Sequence, residues 1–523
     1  MRNGDVTSAG PDRGQGRPGP RRGLSEAVVA TGLGVLFALA AGLQLFWGQD
    51  VGLADNGDGF RLMCHFGLLK TVDVIANPLV LQYAPVPYGC APELAYLSSQ
   101  EWLVRPALWA YRLRYGADAG FDLRVLGLVH SALFGLLLAA LYLALPGRRR
   151  ARVLTTVLGG VLLADITFVT YFVSPFSEPA TFLGLLAVVA AATWYVRARG
   201  ALWVPLVVLV GATVFVVLAK SQTFVFAVLV APVLLSRTVD VGALSGRWRG
   251  RVIPAAACVV LLATAGGNLA QQPPFFAEVN NHNLVFRTLL VDAPDPGAVL
   301  RSLGVPEDLV RYRGTGYFDA AAAGKAEDTQ YQEFERVVGR RELITYLATH
   351  PRHWFPLLRA GIQAVSELRT PYLSNYPAPS GDQLLAPRPN PSERLLGAFG
   401  GAGWLVLLVV WVAAIISGAV VLYRRSSATD AKALGAACYL LGATASSQVV
   451  IAVVGDGYYE LVKHTVLAGY ATALLLAVAA GTLVSVRRTA GEEPARERPD
   501  SRPAVHPAPA PATSRIDPPY PTQ

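Results

Sequence analysis

The sequence predicts an all-α polytopic membrane protein, with about ten spanning helices (nine to eleven) and two large loops on the outer side of the bilayer. Three observations carry that expectation. Of 523 residues, 53% are hydrophobic and only 15% are charged, whereas a soluble domain averages roughly 25% charged residues. The apolar residues gather in runs of about 18 to 25, the length that crosses a hydrocarbon core about 30 Å thick. Arginines then mark every second connection between the runs.

The expected spans are 28–47, 124–145, 153–173, 179–196, 201–219, 222–236, 252–270, 402–423, 432–454 and 465–486. The sixth is short and carries Pro232, so a kinked or re-entrant segment is an alternative there. Arg148, Arg149, Arg150 and Arg152 follow the second span, Arg197 and Arg199 the fourth, and Arg237, Arg247, Arg249 and Arg251 the sixth. Arg424 and Arg425 follow the eighth, and Arg487 and Arg488 the tenth. This alternation places both termini in the cytoplasm. It also accounts for the net charge of +9 without nucleic acid as a partner.

Residues 1–23 are rich in Gly, Pro and Arg and are expected to be disordered. The first span reads as an uncleaved anchor, because it is too long for a signal h-region and is the first of many spans. Residues 24–488 form the membrane domain, and 489–523 a disordered Pro-rich tail. The two outer loops cover about 48–123 and 271–401. Each holds a stretch with the pattern of a helix lying in the membrane interface, EWLVRPALWAYRLRYG in the first and WFPLLRAGIQAVSEL in the second. Helical stretches are expected at 329–349 and 352–369. Cys258 and Cys438 fall inside spans as small apolar fillers. Cys64 and Cys90 share the first outer loop, in a compartment that permits either a bridge or two thiols.

Polar motifs gather at the outer side, and polar groups held near a bilayer usually mark a reaction site or a pathway. In Asp55-Asn56-Gly57-Asp58-Gly59-Phe60-Arg61, Arg61 lies one turn beyond Asp58 on a shared face. A guanidinium there keeps the carboxylate ionised and oriented; a plain Asp-Gly turn is the alternative. Asp55 is the neighbouring candidate. Glu178 before Pro179 is placed as a first-turn acid of the fourth span. Asp165 lies within the third span and must face a cavity or a partner. Lys220, in Lys220-Ser221-Gln222, is one of five lysines in the chain and suits a phosphate or an interfacial position. The outer turn Gly455–His464 holds Asp456, Glu460, Lys463 and His464, with Glu460 facing Lys463 or His464. His282 and Asn283 belong to an Asn-rich run suited to hydrogen bonding a polyhydroxylated ligand, or to an ordinary turn. No nucleotide-binding Gly-rich loop and no serine-nucleophile elbow is present.

This layout over residues 25–488 resembles the GT-C type glycosyltransferases, multi-span enzymes that use polyprenyl-phosphate sugars outside the cytoplasm. Asp58 with Arg61 is similar to the start of the first outer loop in lipid-linked aminoarabinose and mannose transferases. The strings GDGFR, YFVSPFSEP, AKSQ, and HNLVFRTLL before LGVPEDL resemble bacterial hexosyltransferases of S-layer and other surface glycans. That family shows Asn-Ser-Phe after Tyr-Phe; this chain has Val173-Ser174-Pro175 instead.

The resemblance implies hexose transfer from a polyprenyl-phosphate donor to a cell-envelope glycan or lipid-linked acceptor, with inversion. Asp58 is then the base, and Arg61, Lys220, Lys463 and His464 face the phosphate. Glu178 and Asp456 position those cations, bind sugar hydroxyls, or ligate a divalent ion such as Mg or Mn. The competing readings are a flippase for lipid-linked glycan, an O-antigen-type polymerase or ligase, and a non-enzymatic assembly protein.

Overall fold

The computed structural model describes residues 20–48, 51–53, 58–70, 81–86, 97–200, 202–239, 249–319, 322–370 and 389–491. Asp55, Cys90, most of the N-terminal leader and all of the tail beyond 491 lie outside the described residues.

Helical segments follow each of the ten apolar runs, but they are not ten equal crossings. Seven are long and apolar enough to cross a bilayer: Ser25–Phe46, Leu123–Ala144, Glu178–Arg197, Val252–Ala270, Gly401–Tyr423, Thr429–Gly455 and Leu461–Val484. An eighth crossing is broken, with Arg149–Leu163 and Ile166–Val173 meeting at 61°. The remaining two, Trp203–Val217 and Ser221–Leu235, are short. Local chemistry sets the break. Asp165 leaves the helical backbone (ψ 138°), and its side chain accepts from the Thr167 amide at 2.8 Å, starting a new helix in a new direction.

Glu178–Arg197 is the central helix. It is 89% buried, against 22–28% for Ser25–Phe46, Val252–Ala270 and Gly401–Tyr423, so those three form the rim. The rim helices turn apolar side chains outward, such as Val35, Leu39, Val259 and Val409, which is the pattern of a lipid-facing surface. Two close crossings rest on glycine. A Cβ on Gly135 would lie 2.2 Å from the Gly34 carbonyl oxygen, and one on Gly418 would lie 2.5 Å from that of Gly435. Small residues let these backbones touch, which is how helices associate where lipid supplies no hydrophobic drive.

The first loop departs from the all-helical expectation. It holds a small antiparallel sheet of β1 (Leu68–Lys70), β2 (Gln82–Pro85) and β3 (Phe121–Asp122), in the order β1-β2-β3. Leu69 faces Ala84 and Tyr83 faces Phe121 across the ladders. Strands this short leave no periodicity to read. Asp122 then caps the Leu123–Ala144 helix by accepting from the Arg124 amide at 2.9 Å. Between them, Glu101–Tyr115 buries Val104, Ala107 and Leu108 and exposes Trp102, Trp109 and Leu113, as an interfacial helix does. Cys64 is disulfide-bonded, while Cys258 and Cys438 are free.

The second loop builds its own core around Phe286, Tyr312, Tyr331 and Phe334. The helical stretch expected at 329–349 is two helices, Thr329–Val337 and Arg340–Thr349. The next, Trp354–Glu367, packs on Thr429–Gly455 and Leu461–Gly491 and joins the loop to the bundle. Within the loop, Asn283–Leu289 is a π-helix, a rare wide turn that re-aims the side chains it carries.

Candidate active site

A cavity of about 820 Å³ opens between the two loops and the ends of the bundle. Its polar end holds Asp58, Arg61, Lys220, Gln222, Asp456, Glu460 and His464. Its apolar lining includes Leu269, Ile344, Leu347, Trp354, Val450 and Val454. Leu269 and Val450 belong to helices long and apolar enough to cross a bilayer, so the bundle itself builds part of that lining.

Asp58 opens a tight turn in which the Arg61 amide donates to the Asp58 carbonyl at 3.2 Å. The Arg61 guanidinium returns to the Asp58 carboxylate at 3.2 Å and stacks 4.0 Å above the Phe276 ring. The opposite carboxylate oxygen of Asp58 accepts from Lys463. Lys463 also donates to Glu460 at 3.0 Å, and its side chain is only 2% exposed. Burial alone would raise the Asp58 carboxyl. The ammonium of Lys463 and the guanidinium of Arg61 outweigh it and hold the group far below the usual carboxylate range.

Glu460 has a left-handed backbone (φ 47°) just before the Leu461–Gly491 helix. For a non-glycine residue that conformation is strained, and strain of this kind gathers at functional sites. Here it sets the carboxylate one turn from Lys463.

A second ion pair lies beside the first. Lys220 donates to Glu178 at 2.8 Å, and both side chains line a small recess with Lys463 and His464. Asp456 accepts from Asn283 at 2.7 Å on one oxygen and pairs with His464 Nε2 at 3.1 Å on the other. A carboxylate oxygen can only accept, so His464 Nε2 is the donor in that contact. Burial raises the Asp456 carboxyl, with His464 and Asn283 acting against it.

The π-helix fixes the turn that carries these groups. Thr288 accepts from the Tyr458 amide at 2.9 Å, and Asn283 accepts from the Tyr317 amide at 2.9 Å. Gly457 is left-handed (φ +63°), and a Cβ there would lie 2.0 Å from Thr288 Oγ1.

Of the residues expected from sequence, the structure gathers Asp58, Arg61, Glu178, Lys220, Gln222, Asp456, Glu460, Lys463 and His464 around one space, with Asn283 bonded behind the wall. It does not bring in His282 or Asp165. His282 bonds Tyr331 at 2.9 Å and Thr315 at 3.2 Å inside the aromatic core of the loop, where burial pushes it down to about 4. Asp165 is occupied by the backbone. Besides Thr167, it accepts from the amides of Ser392 at 2.6 Å and Glu393 at 3.3 Å, tying the end of the second loop to the broken span. Asp55 lies outside the described residues. Among the described residues, no group of three or more His, Cys, Asp or Glu is arranged to hold a metal ion. Glu178 and Asp456, for which positioning a cation, binding sugar hydroxyls and ligating a divalent ion were the alternatives, are engaged by Lys220, His464 and Asn283.

Sequence reasoning missed Arg340, Phe276 and Trp354, all of which line the cavity. Arg340 donates to the carbonyls of Val454 at 2.9 Å and Gly455 at 3.1 Å. Its signal in the sequence was faint, an arginine followed by Ile344 and Leu347 at helical spacing.

Residues 21–497 match the family described as the YfdI N-terminal transmembrane domain. No curated protein matches the chain. Among solved structures, the chain is similar to the apo oligosaccharyltransferase of Archaeoglobus fulgidus, at 14% identity and TM-score 0.38, over 90% of this chain and 52% of that one. It is similar at 15% identity and TM-score 0.38 to the same organism's oligosaccharyltransferase AglB with an inhibitory peptide and a dolichol-phosphate, over 91% of this chain and 52% of that one. The chain thus spans about half the length of the archaeal structures it matches.

Proposed function

The chain belongs to the YfdI N-terminal transmembrane domain family, and from that premise we propose that it is a membrane glycosyltransferase of the GT-C type. It moves a hexose from a polyprenyl-phosphate donor to a glycan or lipid-linked acceptor of the cell envelope, outside the cytoplasm and with inversion. One observation carries the reading. The carboxylate Asp58 and the cations Arg61, Lys220 and Arg340 line one cavity together with apolar side chains of the bundle and the second loop, Leu269, Ile344 and Val450 among them, and Lys463 reaches Asp58 from the adjoining recess. Charged and apolar groups in a single space match a sugar phosphate joined to an isoprenoid chain.

The chemistry follows from the ion pairs. With Lys463 and Arg61 engaged, Asp58 is a weak base. A donor phosphate entering the cavity draws the ammonium and guanidinium toward its own oxygens. Asp58 then loses its stabilising charges and its proton affinity rises. Its carboxylate takes the proton of the acceptor hydroxyl as that oxygen bonds to the anomeric carbon. The bond from that carbon to the phosphate oxygen breaks, and its electron pair leaves on the phosphate. Arg61, Lys220 and Lys463 stabilise the charge developing there.

The test is transfer by purified protein in proteoliposomes, using labelled polyprenyl-phosphate hexoses and crude envelope glycan acceptors. Label in the acceptor supports the reading. Labelled lipid that crosses leaflets without any transfer supports a flippase instead.

A further inference from the structure

Four cations face the cavity and its recess, and three of them already have carboxylates. Arg61 lies 3.2 Å from Asp58, Lys220 lies 2.8 Å from Glu178, and Lys463 lies 3.0 Å from Glu460. Arg340 differs. It forms no ion pair among the described residues, and Asp456, the acid whose charge it senses, is bonded to Asn283 and His464. Only Arg340 Nη1 is used, by the two carbonyls that end the Thr429–Gly455 helix. Those bonds hold the guanidinium beside the turn that carries Glu460 and Lys463.

Its place in its own helix is also unusual. Arg340 begins Arg340–Thr349, and a cation at a helix N-terminus sits against the macrodipole. Glu342 already answers the dipole, accepting from the Gly339 amide at 3.1 Å, so an anion in the cavity would serve the guanidinium itself. Along that helix Ile344 and Leu347 follow at i+4 and i+7, and all three line the cavity. One stripe therefore runs from a guanidinium to two apolar side chains over roughly 10 Å. Ile344 is 51% exposed and open to a ligand, while Leu347, 1% exposed, backs it from the core of the loop. Trp354 continues it along the same wall.

We propose that this stripe seats a polyprenyl monophosphate, with Arg340 binding the phosphate and Ile344 and Trp354 the first isoprenoid units. The assignment rests on the donor class of the proposed function and adds the residues that recognise it. The unpaired guanidinium gives the phosphate its first partner. Lys463 and Arg61 leave Asp58 only once the phosphate is already held. Arg340 is thus a binding residue that orders the exchange of partners at Asp58.

The experiment uses the purified full chain in detergent and a fluorescent polyprenyl monophosphate without sugar, followed by polarisation. Polyprenol and phosphatidylglycerol serve as competitors. The expected result is that Arg340→Gln weakens the monophosphate about tenfold and leaves polyprenol unchanged, while Arg340→Lys recovers part of the loss. Ile344→Asn weakens monophosphate and polyprenol together. If Arg340→Gln binds the monophosphate as wild type does, Arg340 only closes a helix and the proposal falls, while transfer by the wild type still upholds the enzyme. Phosphatidylglycerol displacing the probe as well as polyprenyl monophosphate does would also overturn it. Folded wild type that binds no polyprenyl monophosphate would overturn both readings. If Arg340→Gln does not fold, Ile344→Asn decides, and unchanged binding in that variant refutes the stripe.

Discussion

Lys463→Met tests the ion-pair network around Asp58 most severely. The variant removes an ammonium that is 2% exposed and joins Asp58 to Glu460. Removing one partner of a buried pair costs about 3–5 kcal/mol, because the other charge stays buried. Asp58 keeps 29% of its side chain exposed and retains Arg61 at 3.2 Å, so the expected loss is smaller, about 2–3 kcal/mol. Asp58→Asn should cost less, about 1–2 kcal/mol, since Lys463 retains Glu460. The double variant should lose less than the two singles together, by about 1–2 kcal/mol.

The assay is thermal unfolding of the purified proteins in detergent across pH. The folded Asp58 carboxyl is depressed, so its contribution is present above the unfolded value of about 3.9 and is lost as pH falls toward the folded value. The gap between wild type and Lys463→Met should therefore be full at pH 7 and shrink below about pH 4. Single effects that add to within about 0.5 kcal/mol would refute the coupling, as would a gap that stays constant on acidification.

Three other outcomes follow from the same structure. Asp165→Ala strips acceptors from the Thr167, Ser392 and Glu393 amides and should lower stability by about 1–3 kcal/mol; transfer per folded molecule, measured on the surviving fraction, should stay within a few fold. Gly457→Ala forces a Cβ to within 2.0 Å of Thr288 Oγ1 at a positive φ, so both melting temperature and transfer rate should fall, whereas Gly455→Ala, with open space around it, should be mild. His282 is buried and shifted down to about 4. Its unfolded form binds the proton first, so stability is full above about pH 6.5 and falls toward pH 4, by up to about 3 kcal/mol. His282→Gln should flatten that decline in a pH-resolved unfolding series.

The bundle was legible because lipid demands long apolar runs, and those runs are visible without a structure. Crossings that do not obey that demand were harder to read. The break at Asp165 looked like a continuous span with a buried acid, since only Ser392 and Glu393, distant in sequence, show why the acid is there. The Asp58–Arg61 pair was legible as a one-turn spacing. Its link to Lys463 joins residues 405 positions apart, and no local pattern encodes such a contact. His282 drew attention as a polar residue among asparagines, yet the rings of Phe286, Tyr317 and Tyr331 pack against it. Arg340 escaped notice for the opposite reason. An arginine in an ordinary polar loop gains meaning only when the fold withholds a carboxylate from it and turns it toward a cavity.

The central claim is that Asp58 takes the acceptor proton during hexose transfer, and the direct measurement is single-turnover transfer from a labelled polyprenyl-phosphate hexose by wild type and Asp58→Asn. The expected loss in the variant is about 10²–10⁴-fold, with donor binding close to wild type and only the small loss of stability given above, about 1–2 kcal/mol. A folded Asp58→Asn protein that transfers within a few fold of wild type would contradict it.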